Sequence, residues 1–364
     1  MTSRERVIRA LSFGSPDRVP RDLWWLPAVE LNQKEELEKV LERFPKDIET
    51  ARFKPGFSER QRGKPALVAP GSHPPVLIPR RGKYIDEWGS WWHVGEDGVI
   101  GEVKEPVLDT WSKLDSFTPP WDYLETVDLR EVNQSCAESD KFMLSDICAR
   151  PFERMQFLRG TENLFIDLAY GVQEVYKLRD MVHEFYLKYT EMWAKTDVDG
   201  LFFMDDWGTE RSLLISPKLW RDFFKPLYKD YFEIAHAHGK YVFFHTDGHV
   251  REILADLVEL GVDAINCQLF CMDVEEIGRE FKGKITFWGE IDRRTLVLGS
   301  PRDVCELVLR VRRALEIPEG GVIAQCEWGK NNPPENIAAV FEAWEMPLSE
   351  LTDLVSVSKD GNSK

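Results

Sequence analysis

The residues best able to do chemistry in this sequence stand at the ends of apolar runs. YVFFHTDG, residues 241–248, passes from a strand-like segment to His245 and then Asp247. DGLFFMDD ends on Asp205 and Asp206. VDAINCQ ends near Cys267, KITFWGEID on Glu290 and Asp292, and GVIAQCE on Cys326 and Glu327. Imidazole, carboxylate and thiolate are the side chains that bind zinc, and three such donors with an open fourth position make a catalytic site. His245, Asp247 and Cys326 form such a set, and zinc bound to them carries no net charge and stays electrophilic. Each residue also has a plainer role. Strand-end acids such as Asp206, Asp292 and Glu327 cap helices or meet water, and Asp247 is placed to cap a helix starting at His249. Cys267 and Cys271 read as small core residues.

The elements that must position these residues follow a regular beat from residue 197 onward. Apolar strands alternate with amphipathic helices: ISPKLWRDFFKPLYKDYFEIAHAHG opens on Ser216 and Pro217, bends at Pro226 and stops at Gly239. HVREILADLVELG, DVEEIGREFKG, SPRDVCELVLRVRRALE and PPENIAAVFEAWE repeat the pattern. Strands without polar alternation, separated by helices, imply a parallel sheet covered on both faces. DRVPRDLWW, DIETARF and FMLSDI upstream complete a set of eight strands. The expectation is an α/β fold, a single (β/α)8 barrel spanning residues 1–364, with reactive groups at the C-terminal ends of the strands. No glycine-rich dinucleotide turn supports the alternative doubly wound sheet. Residues 54–128 break the beat with Gly, Pro and Trp and with hairpin-like pieces. They read as an insertion over the barrel mouth, and the tail from about 352 to 364 reads as frayed.

Composition narrows the partners. The chain has 364 residues, 43% hydrophobic and 30% charged, with a net charge of -16. An acidic surface repels phosphate backbones, so no nucleic-acid partner is expected. No run reaches the roughly 20 apolar residues of a membrane span, and the first residues lack a signal-peptide apolar block. The expectation is a cytoplasmic protein with its six cysteines reduced. Of 13 tryptophans, Trp24, Trp25, Trp207, Trp288 and Trp328 lie beside strand ends or turns. They read either as packing or as an aromatic-walled substrate pocket.

The sequence resembles the uroporphyrinogen decarboxylase superfamily, which includes corrinoid-dependent methyltransferases. The likeness rests on SRERVIRALSFGSPDRVP, YIDEWG, LRGTENLFIDL, DDWGTERSLLISPKLWRDFFKPLY, HAHGKYVFFHTDGHVREILADLVELGVDAINCQ, FWGEID and NNPPENI, and covers most of the chain. It implies a (β/α)8 barrel. Decarboxylases of this superfamily hold substrate carboxylates with an arginine-rich loop after the first strand, where this chain has RDLWWLPAVELN. They also carry a His where Cys326 stands. The methyltransferase branch builds zinc from His-x-Cys and a late Cys. His245 and Cys326 match that pattern, and Asp247 replaces the middle Cys.

That resemblance implies a methyltransferase that passes a methyl group from a small substrate to the Co(I) of a separate corrinoid (cobalamin) protein. An oxygen ligand in place of sulfur makes zinc a harder Lewis acid, suited to an ether oxygen. The expected substrate is therefore an aryl methyl ether, undergoing O-demethylation. The expected catalytic residues are His245, Asp247, Glu290 (the superfamily usually has glycine there) and Asp206. The five tryptophans named above would hold the ring. The alternatives are a metal-free decarboxylase using Asp205 or Asp206, and a barrel that binds a corrinoid without turnover.

Overall fold

The computed structural model describes residues 1–66 and 79–356. Eight parallel strands form the barrel: β1 (Arg21–Trp25), β2 (Ile48–Thr50), β6 (Phe142–Ala149), β7 (Gly200–Met204), β8 (Tyr241–Thr246), β9 (Ala264–Cys267), β10 (Thr286–Trp288) and β11 (Val322–Trp328). Their order is β1-β11-β10-β9-β8-β7-β6-β2. Between β2 and β1 the Asp47 N–H donates to the Arg21 carbonyl at 2.8 Å, so the sheet curls almost to closure. The expected (β/α)8 barrel is the fold.

Side chains alternate across the barrel wall. Ile48, Phe142, Leu144, Phe243, Ala264, Trp288 and Ile323 fill the lumen, and Val7 and Leu11 of the helix Ser3–Leu11 plug its lower end. Leu23, Leu201, Phe203, Phe244, Ile265, Phe287, Val322, Ala324 and Cys326 face outward into the layer between strands and helices.

The stretch 54–128 leaves the barrel after β2. Lys54 and Asp128 exchange paired backbone hydrogen bonds at its base, both 3.0 Å. Within it β3 (Gly82–Ile85), β4 (Trp91–Val94) and β5 (Glu102–Glu105) form a small antiparallel sheet. This segment rests on the loops that follow the barrel strands. Ala28, after β1, donates to the Gly98 carbonyl at 3.0 Å, and Lys330, after β11, pairs with Glu96. Arg154, on the helix Pro151–Arg159 after β6, pairs with Asp86 and Glu87, each at 2.9 Å.

Three local expectations change. The helix expected to bend at Pro226 breaks into Pro217–Phe223 and Lys225–Ala237, because proline cannot donate to the preceding turn. Residues 249 and 250 are irregular, 251–253 form a turn and the next helix begins at Leu254, so Asp247 is not the cap of a helix starting at His249. The tail is helical over Leu348–Ser356, with Leu351 and Val355 buried against the domain, so fraying does not start at 352. Residues 357–364 lie outside the described residues.

Asp47 ties the lower rim together. Its carboxylate accepts from Ser3 Oγ (2.7 Å), Arg6 Nη1 (2.7 Å), Arg18 Nη1 (2.7 Å) and the Arg21 N–H (2.8 Å), and it is fully buried. Removing one member of a buried charged network leaves its partners uncompensated. Asp47→Ala should lower unfolding stability by about 3–5 kcal/mol in urea denaturation, with no direct effect on the opposite, C-terminal face.

Candidate active site at the barrel mouth

His245 is the last inward-facing residue of β8, one step above Phe243. Its ring lies 5.2 Å from that of Trp24, and Trp24 meets Trp288 edge-on at 4.9 Å and 89°. Both indole N–H groups donate to Asp22 Oδ2, at 3.0 and 3.1 Å. One lumen carboxylate thus fixes two perpendicular rings as a floor beneath the imidazole.

Asn266, level with His245 on β9, sets the tautomer. Its amide nitrogen faces two acceptors, the Trp288 carbonyl at 2.5 Å and Gln325 Oε1 at 3.0 Å. Its amide oxygen therefore faces His245 Nδ1 at 2.6 Å, and that nitrogen must carry the proton. Nε2 is left toward the mouth, 3.6 Å from Asp206 Oδ1 and 3.7 Å from Asp247 Oδ1. Burial opposes charge on the ring, but Asp247 and Asp206 outweigh it, and the His245 pKa is raised. Enclosure by the protein raises the Asp206 carboxyl as well, against the pull of His245.

Arg293 organises the remaining acids. It forks onto both oxygens of Asp247 at 3.0 Å, donates to Glu290 Oε1 at 2.6 Å, and lies 3.6 Å from Glu327. The other oxygen of Glu290 is buried with no hydrogen-bond partner. Burial raises the Glu290 carboxyl to about 7, with Arg293 opposing the rise. A cleft of about 330 Å³ opens beside this group, lined by Phe270, Cys271, Glu290 and Arg293.

The ligand atoms of Asp206, His245 and Asp247 lie within 4.8 Å of one another. With the Nδ1–H donated to the Asn266 amide oxygen, the Nε2 lone pair and two carboxylate oxygens form one nitrogen and two oxygen donors, a set that fits a divalent cation such as zinc. Cys326 is not in it. Its neighbours Gln325 and Glu327 continue the inward series from Ile323, so Cys326 turns outward, fully buried in the helix-facing layer. Burial there pushes its thiol well up, which disfavours the thiolate a metal needs. Asp206 takes the place expected for the sulfur.

The same alternation divides the tryptophans. Trp24 and Trp288 border the site. Trp25 turns outward, donates to Glu30 at 2.7 Å and lies under Lys46. Trp328 is buried on the outer side and donates to Gln33 at 2.9 Å. Trp207 stacks on Phe152 at 4.1 Å and donates to Tyr228, inside the helix layer. These three pack the wall and do not line the mouth. Asp205 is equally occupied: it accepts from the N–H groups of Phe152 (3.0 Å) and Glu153 (2.7 Å) and from Tyr228, holding the first turn of the helix Pro151–Arg159. Asn266, Gln325 and Arg293 escaped the sequence reading, and Glu327, read there as a helix cap or a group meeting water, instead faces Arg293. For Asn266 and Gln325 the signal was present, a lone amide within the apolar runs AINC and VIAQC.

The model of the family described as uroporphyrinogen decarboxylase (URO-D) matches residues 91–346. The chain belongs to the uroporphyrinogen decarboxylase family. The matched span holds every residue of the donor cluster and of the Arg293 network, while Asp22 and Trp24 lie before it. No curated protein matches the sequence. Among solved structures, a methyltransferase from Methanosarcina mazei shares the fold at 15% identity, with a TM-score of 0.66, covering 95% of this chain and 98% of its own. A glycosylated endo-beta-1,4-xylanase from Gloeophyllum trabeum is similar at 10% identity and a TM-score of 0.37, covering 59% of this chain and 79% of its own. No described helix is long and apolar enough to cross a membrane.

The donor geometry gives a direct test. After zinc loading and dialysis, elemental analysis should find about one metal per chain in the parent protein and in Cys326→Ala, and little in His245→Ala or Asp206→Ala. Loss of metal from Cys326→Ala alone would return the sulfur to the ligand set.

Proposed function

We propose that this protein is a corrinoid-protein-dependent methyltransferase that demethylates a small aryl methyl ether. The observation that carries the reading is the convergence of one imidazole and two carboxylates at the open end of the barrel, above a floor of two perpendicular indoles. The fold shared with the Methanosarcina mazei methyltransferase adds support. Asp206, His245 and Asp247 would hold zinc, which supplies Lewis acidity toward an ether oxygen when bound.

The chain's own residues supply the rest. Trp24, partly exposed and backed by the fully buried Trp288, offers an apolar surface to an aromatic ring. A phenolate leaving group needs charge stabilisation in a site of low polarity. Glu290 is suited to give it: near neutrality much of it is protonated, and its free oxygen is the one without a partner. Arg293 holds the other oxygen and so orients the acid. A Co(I) corrinoid carried by a separate protein over the mouth would serve as the methyl acceptor, leaving the phenolate to the residues named above. Leu298, at the end of the short helix that starts with Arg293, is 85% exposed and suits such a contact.

Decarboxylation of uroporphyrinogen is the second reading, favoured by the family match alone. The mouth argues against it. Asp206, Asp247, Glu290 and Glu327 surround a single guanidinium, Arg293, and one imidazole. A substrate bearing eight carboxylates would be repelled there.

The test is methyl transfer from 4-methoxybenzoate and 4-methoxybenzamide to a reduced corrinoid protein, with the released phenol measured, beside a uroporphyrinogen decarboxylation assay. Phenol release without porphyrin product is the expected result, and the reverse would sink the proposal. Because the acid form of Glu290 acts, kcat/KM should fall as pH rises through about 7. Glu290→Gln, which cannot give up a proton, should cut kcat roughly a hundredfold and flatten that pH dependence.

A further inference from the structure

The geometry points to the cleft between the loops that follow β9 and β10 as a pocket for an uncharged, hydrogen-bond-accepting substituent on the ring of the methyl donor, with Gln268 as the residue that reads it. This rests on the reading that an aryl methyl ether lies in the mouth. At about 330 Å³ the cleft is at the small end of ligand pockets and suits a single-ring compound. Leu269, Phe270 and Ile291 supply its apolar wall. The buried Glu290, just beyond β10, lines it too, and one of its oxygens has no hydrogen-bond partner.

Gln268 is oriented by its amide oxygen. That oxygen accepts from the Gly248 N–H at 3.0 Å and from the Cys271 thiol at 3.4 Å. A backbone N–H can only donate, so the amide is held with its oxygen toward the loop of Asp247 and its NH2 turned away. The half-buried Gln268 lines the cleft, and its NH2 has no hydrogen-bond partner among the described residues.

The charges around the cleft decide what that NH2 can meet. Arg293 is committed to Asp247 and Glu290, and Arg294 pairs with Glu210. Asp292 accepts from the N–H and the hydroxyl of Thr295, at 2.8 and 2.7 Å. Three acids therefore border a space in which both guanidiniums are already paired. A carboxylate entering it would find no unpaired cation and would meet like charge. A carbonyl or ether oxygen brings no charge and can accept from the Gln268 NH2.

Methyl transfer from 4-methoxybenzamide, anisole and 4-methoxybenzoate tests the pocket through kcat/KM. That ratio compares productive transition states, so a carboxylate bound uselessly at a metal does not distort it. The amide should exceed anisole roughly fivefold, and the benzoate should fall below both. Gln268→Glu keeps an oxygen for the Gly248 N–H and loses the NH2, and it should bring the amide-to-anisole ratio close to one. Binding is read separately: 4-methoxybenzamide should slow N-ethylmaleimide labelling of Cys271, followed by peptide mass spectrometry, far more than 4-methoxybenzoate does. Equal kcat/KM for the three ethers, a ratio that survives Gln268→Glu, or labelling of Cys271 untouched by the amide would overturn the pocket. The parent ratio and the labelling decide the matter even if Gln268→Glu fails to fold. Protection of Cys271 without turnover of any ether would sustain the cleft as a binding site and remove the methyl-transfer reading. Turnover without protection would do the reverse.

Discussion

Each barrel strand must send alternate side chains to opposite sides of a closed wall, and the site depends on that parity. The wall leaves no freedom to choose: once Phe243 fills the lumen, His245 follows it inward and Thr246 turns to the helices. On β11 the same rule brings Gln325 and Glu327 to the mouth and sends Cys326 behind it. Packing fixes the parity, because sliding a strand by one residue would drive its whole apolar set out of the core. The chemistry at the rim is thus decided by hydrophobic residues far below it.

Above the packed lumen the polar groups hold one another in fixed orientations. Asp22 fixes the two indoles, the Trp288 carbonyl and Gln325 fix the Asn266 amide, and Asn266 fixes the imidazole. The Asn266 links are buried, so turning that amide over would point its NH2 at the Nδ1–H and its oxygen at the Trp288 carbonyl. The outcome is a defined Nε2 aimed at two carboxylates. Arg293 plays the matching part for the acids, spreading one positive charge over Asp247, Glu290 and Glu327.

Acids outnumber cations at this mouth, and burial changes what they are. Carboxyls withdrawn from water and crowded by like charges hold protons into the neutral range. Glu290 and Glu153, each raised to about 7, act there as donors as much as anions. The inserted segment shares in this. It supplies Asp86 and Glu87 to Arg154, so a buried guanidinium beside the mouth is fully paired.

The sequence by itself determined the barrel, because continuous apolar strands alternating with amphipathic helices have few other ways to bury themselves. It also determined that His245, Asp247, Asp206 and Glu290 stand at strand ends, since that follows from where each apolar run stops. It marked residues 54–128 as an insertion through their broken rhythm. Only the tertiary structure decided which strand-end groups share one space. Cys326 and Glu327 are adjacent in the chain and look equally eligible, yet the wall separates them. Trp24 and Trp25 part in the same way. Asn266, Gln325 and Arg293 owe their roles to neighbours dozens of residues away, and no local pattern encodes a distance across the barrel.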